Sequence, residues 1–136
     1  MSLTIEDGLD NLLRTDAAIN AIIQQRAFPD KLPEQVAYPA LTYSILVGTG
    51  TRTLTDPGLQ KWRIQVDCWG TTYADAKNLR AAVMKELNGY SGILSDGTFL
   101  QLMELIGPIF LPYDTAALTY RCPCEFYLYF NFPASA

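Results

Sequence analysis

Cys122-Pro123-Cys124, together with Cys68, comes nearest to a reactive constellation in this chain. Thiols two residues apart share one face of a strand, and a third across the sheet would gather three soft groups for redox chemistry or a metal. A structural zinc takes four ligands at turn spacings, which a strand-borne pair and one distant thiol do not supply. Buried thiols serving as small apolar side chains are the better reading, and an odd count of three gives no disulfide framework. There is no histidine anywhere. That removes Ser/His/Asp and Cys/His nucleophile systems and every histidine-containing metal site. The carboxylates Asp56, Asp67, Glu104, Asp114 and Glu125 come from separate segments, and nothing in the sequence makes two of them converge for acid/base work. Gly48-Thr49-Gly50 lacks the third glycine and the lysine of a phosphate-cradling loop, and it follows a strand without opening a helix. The expectation is no catalytic residue, no cofactor and no metal.

The elements that position these residues belong to a chain of 136 residues, the size of one compact domain covering residues 1–136. A net charge of −4 with ten scattered basic residues is not the clustered cationic surface of a nucleic-acid binder, although an acidic wall lets a polyanion pass without sticking. No apolar run is long enough to cross a bilayer and the N-terminus lacks a signal peptide, so no membrane partner and a cytoplasmic site of synthesis are expected.

Thr4 and Asp7 read as a capping pair ahead of Ile5, Leu9, Leu12 and Leu13 at helical spacing. Thr15-Asp16 reads as a second cap ahead of Ile19, Ile22 and Ile23, giving two short helices or one broken helix. Pro29, Pro33 and Pro39 make residues 28–40 an irregular crossing. Leu41, Tyr43, Ile45 and Val47 alternate with polar residues as a half-buried strand that Gly48 ends, and Gly48 to Gly58 suits a long hairpin arm.

The clearest strand follows, with Trp62, Ile64, Val66 and Cys68 on a core face and Lys61, Arg63, Gln65 and Asp67 on a wet one. Thr72 and Asp75 then open a helix whose stripe is Ala76, Leu79, Val83 and Leu87, stopped by Asn88-Gly89. Residues 98–106 read as a strand buried on most of both faces, and Ile109 to Tyr113 as an extended continuation before an Asp114-Thr115 turn. In the closing strand, Leu118 to Phe130, Pro123 implies an edge position or a bulge. Its aromatics exceed what a small monomer easily buries, so some are expected to face another subunit. The fold class is α+β: a mainly antiparallel sheet with helices on one face and a long β-hairpin arm.

Ile19-Asn20-Ala21-Ile22-Ile23, Arg26-Ala27-Phe28-Pro29, Tyr38-Pro39-Ala40-Leu41-Thr42-Tyr43 and above all Trp62-Arg63-Ile64-Gln65-Val66-Asp67-Cys68-Trp69-Gly70 followed by Tyr73-Ala74-Asp75-Ala76 carry a family resemblance. In their order and spacing over nearly the whole chain they resemble the tail-completion, or tail-terminator, proteins of long-tailed bacteriophages and prophages. The resemblance implies a structural virion protein, not an enzyme. It would form a ring, commonly a hexamer, on the head-proximal end of the tail tube, stop tube polymerisation and offer a surface for head–tail joining. Its partners would be copies of itself, the tail-tube protein and head-completion or connector proteins, without sequence-specific nucleic acid. It would be assembled in the bacterial host cytoplasm and end in the virion tail.

A closed ring needs two different matching surfaces. The candidates are the arm residues Thr51, Arg52, Thr53 and Leu54, the Trp69 region, and Tyr127 with Tyr129. Trp69, at the end of its strand, suits either an interface anchor or a cover for the start of the next helix. The competing reading is a small α+β ligand- or peptide-binding module with the arm as a lid.

Overall fold

The computed structural model describes residues 5–50, 59–109 and 119–131, with the side chains of residues 49 and 50 left aside. The Thr4 cap, Thr51, Arg52, Thr53, Leu54 and the Asp114-Thr115 turn lie outside them. The elements run α1 (Ile5–Thr15), α2 (Ala17–Ile23), β1 (Ala27–Pro29), β2 (Ala40–Gly50), β3 (Leu59–Gly70), α3 (Tyr73–Leu87), β4 (Gly92–Ile93), β5 (Phe99–Pro108) and β6 (Tyr120–Asn131). Six strands form one sheet in the order β1-β2-β3-β6-β5-β4. Only β1–β2 is parallel. The fold is α+β and mostly sheet.

Of the two N-terminal readings, two helices is the one realised. The Asp16 carboxylate accepts from the Ala18 and Ile19 N–H groups, each at 3.1 Å, which starts α2 afresh. Leu9 and Leu13 of α1, Ile19 and Ile23 of α2, and Leu79, Val83 and Leu87 of α3 bury against Leu41, Ile64, Val66, Phe126, Leu128 and Phe130 of the sheet in one core. Gly8 permits the closest approach to α1: a Cβ there would lie 2.7 Å from Asp96 Oδ1 and 2.9 Å from Leu94 Cβ. Phe126 and Phe130 of the closing strand are fully buried in this core.

Four expectations are corrected. Residues 27–29 are a strand within the presumed irregular crossing, because Pro29 presents its missing N–H outward and β2 pairs on the other side. Strand β2 continues past Gly48 to Gly50, and Gly48 is there for space, since a Cβ would lie 2.8 Å from Trp62 Nε1. Strand β5 is buried on one face only. Leu100 and Met103 point to the helices while Phe99, Leu102 and Ile106 are exposed, because shifts of register between Leu100 and Leu102 and between Leu105 and Gly107 place apolar residues on both sides.

The fourth correction concerns Pro123. Strand β6 is interior, flanked by β3 and β5, not an edge; the nearby bulge belongs to β5. The ladder shows how a proline is accommodated there. The Ile109 N–H donates to the Pro123 carbonyl at 2.9 Å, so the side of Pro123 that lacks a donor faces Ile109 and not β3. In an ordinary antiparallel pair residue 123 would return a hydrogen bond to the Ile109 carbonyl. Arg80 of α3, 5% exposed, supplies it instead, with Nη1 at 3.1 Å from that oxygen.

Arg80→Met should therefore cost about 2 kcal/mol of stability, the scale of a half-buried carbonyl left without its donor. In a Pro123→Val background the strand N–H returns and part of that cost should disappear, a coupling of about 1 kcal/mol by urea unfolding of the double-mutant cycle. Strict additivity would sever Arg80 from Pro123.

Candidate assembly surface

The sheet face away from the helices is built by parity. Alternate residues of β3 and β6 that do not enter the core face outward, and the register sets Lys61 opposite Tyr129, Arg63 opposite Tyr127, Gln65 opposite Glu125, Asp67 opposite Pro123 and Trp69 opposite Arg121. Tyr127, Tyr129 and Trp69 therefore share one face, the tyrosines at its hairpin end and Trp69 at the other. The sequence separated them into two surfaces; the sheet makes them one.

This face is not uniformly wet. Thr42, Asp67 and Glu125 on it are buried, at 2%, 9% and 8% exposure, and each is held by neighbours. Arg63 pairs with Glu125, with Nε at 3.1 Å from Oε2, and this carboxylate raises the guanidinium pKa. Asp67 accepts from Gln65 Nε2 at 2.7 Å and lies 3.9 Å from Arg121. Trp69 donates to Thr42 Oγ1 at 3.0 Å beneath the Arg121 guanidinium. Lys61 Nζ sits 4.2 Å from the centre of the Tyr127 ring and 5.7 Å from that of Tyr129, whose hydroxyl donates to Glu104 at 3.1 Å. Val47, Lys61, Arg63 and Tyr127 line a shallow depression of about 250 Å³ at the hairpin end.

Part of each sheet edge is closed chemically. Arg14, paired with Asp10 at 2.7 Å, donates to the Gln25 carbonyl at 2.6 Å and to the Ala27 carbonyl on the outer side of β1. Asp10 also accepts from the Tyr43 hydroxyl at 2.6 Å, and burial, then this hydrogen bond, push the Tyr43 pKa well above its ordinary value. At the opposite edge the Gly89 N–H and Tyr90 carbonyl pair with Met103, and Asn88 Oδ1 accepts from the Leu105 N–H at 3.1 Å. Such caps block pairing with a foreign strand. The Asp10/Arg14 spacing of four was the sequence signal for the first cap; the Asn88 role had none, because it depends on where β5 lands.

The thiols form a core cluster, with Cys68 opposite Cys122 and next to Cys124. Burial raises the Cys68 pKa well above its ordinary value, with Cys124 adding through a hydrogen bond, and burial also raises that of Cys122. Among the described residues no group of three or more Cys, Asp or Glu is placed to hold a metal ion.

The sequence model of the family described as "Tail completion protein gp17" matches residues 8–121. The chain belongs to that family. It is a structural component of a phage tail. No curated protein matches in sequence. Among solved structures, a chain from "Virion of native gene transfer agent (GTA) particle" superposes with a TM-score of 0.63 at 20% identity, covering 89% of this chain and 90% of that one. At that identity it shows a shared fold.

In this chain the buried cysteines contribute to packing, and the raised pKa values fix a sign. A thiol whose folded pKa lies above its unfolded one contributes stability that is complete below the unfolded value. That contribution is lost as pH rises past 9.0, the ordinary thiol value, toward the folded one. The urea midpoint should therefore fall between about pH 8.5 and 10, and fall less in Cys68→Ala, when each is referred to its own value at pH 7. An equal decline in both proteins would remove Cys68 as the cause.

Proposed function

We propose that the chain forms a closed ring, a hexamer, on the head-proximal end of the tail tube, where it ends tube polymerisation and takes part in head–tail joining. The whole chain acts as one domain, and its partners are further copies, the tail-tube protein and head-completion or connector proteins. The carrying observation is the match to the tail completion family over residues 8–121. The surface supports it: caps on β1 and β5 against strand addition, a sheet face that no element among the described residues covers, and large apolar side chains exposed at its flanks.

In this reading Thr51, Arg52, Thr53 and Leu54 contact a neighbour, while Trp69, Tyr127 and Tyr129 belong to the face turned toward a partner. The net charge of −4 suits a passage through which DNA slides without sticking. Among the described residues, the depression on the open face is shallow and smaller than the roughly 300–1,000 Å³ of ordinary ligand sites, so this depression does not favour the ligand-module alternative.

Purified protein added to polymerising tail-tube subunits should stop elongation and appear as a ring at one end of each tube in negative-stain micrographs. Tubes that keep growing with bare ends would refute the terminator role.

A further inference from the structure

Among the described residues, two groups of exposed apolar side chains flank the sheet, besides Leu59, Tyr73, Leu102 and Ile106 on β3, α3 and β5. On the β4–β5 flank, Ile93 and Phe99 are directly opposed in register and are 74% and 54% exposed, forming a single knob. On the β2 flank, Leu46 and Val47 are 44% and 54% exposed. Strand β1 ends at Pro29 opposite Tyr43, so β2 beyond that point has no outer neighbour among the described residues. Both patches lie at the hairpin end of the sheet, since the register runs from Leu100 through Phe130 and Gln60 to Gly50. Three strand spacings, about 14 Å, separate β5 from β2. The patches therefore cannot cover one another within one chain.

Their chemistry is complementary. The depression beside Val47 has one aliphatic wall and the cationic side chains Lys61 and Arg63, with Tyr127 alongside. A phenyl ring satisfies such a lining from both sides, packing its edge on Val47 and turning its electron-rich face to the cations. Phe99 is the exposed phenylalanine among the described residues. A contact between two different flanks of identical chains is heterologous, and repeated around an axis it closes into a ring.

We infer that the Ile93–Phe99 knob of one copy seats in the depression lined by Val47, Lys61, Arg63 and Tyr127 on the β2 flank of the next. The inference rests on the ring reading and assigns the ring its contact. Each junction leaves one knob and one depression for the following copies, so growth ends only on closure.

The test exploits that asymmetry with Phe99→Glu and Val47→Glu, both at exposed positions where the fold is retained, checked by circular dichroism melts. Analytical ultracentrifugation of wild type, each variant and their equimolar mixture, with and without tail tubes, supplies the readout. Each variant alone should self-associate roughly tenfold or more weakly, as loss of an interface anchor does. The mixture should stop at two chains, because the intact knob of Val47→Glu fits the intact depression of Phe99→Glu and the next junction is broken on both sides. Variant rings beside wild-type rings, or a mixture no larger than either variant alone, would overturn the flank pairing and leave the ring standing. A wild type that stays monomeric even on tubes would overturn the ring itself. A second form guards against misfolding: Val47→Cys with Phe99→Cys in one chain should give a ladder of interchain disulfides on oxidation. The same ladder from either single variant would contradict the pairing.

Discussion

The twelve-residue pairing of β3 with β6, from Leu59 opposite Asn131 to Gly70 opposite Tyr120, is the constraint on which the rest of the structure depends. It joins distant parts of the sequence and places Ile64, Val66 and Cys68 beside Phe126, Cys124 and Cys122 under the helices. By the same parity it places Lys61, Arg63 and Asp67 beside Tyr127, Glu125 and Arg121 on the open side. Shifting either strand by one residue would exchange the two faces, burying charges and exposing the core. The interior position of β6 also obliges α3 to carry a buried arginine, because a proline in the middle of a sheet leaves a carbonyl on its neighbour that something must satisfy.

Much of this was legible in the residues. The alternation from Lys61 to Trp69, the Thr72 cap and the stripe of Ala76, Leu79, Val83 and Leu87 are local signals, and each element formed where its pattern placed it. What was not legible depended on pairing partners. Pro123 read as an edge signal because a proline cannot donate, but whether that matters depends on which neighbour its missing N–H faces and whether a side chain from another element arrives. Phe99 and Ile106 read as core because apolar runs look alike whether a sheet is covered on one side or two, and two bulges broke the alternation that would have revealed it. The short parallel β1 escaped for the opposite reason, since three residues ending in proline carry no periodicity.

The candidate surface was legible in kind but not in arrangement. The lack of histidine and of convergent carboxylates pointed away from catalysis, and the aromatic content of β6 pointed toward association. Yet Phe126 and Phe130 face inward, while Tyr127, Tyr129 and Trp69 are held by Lys61, Glu104, Thr42 and Arg121 within the chain. Such ties keep the face ordered before any partner arrives, which lowers the ordering cost of association. Of the large apolar side chains among the described residues, Ile93, Phe99 and Val47 are the most exposed, and they sit at the flanks of the sheet.

The mass of the assembled species bears on this account most directly. Native mass spectrometry of the protein released from tail-tube ends should show one closed multiple of the chain mass, six by this account, with no ladder of intermediate sizes. Single chains released from tubes, or an open series of sizes without a preferred multiple, would contradict it.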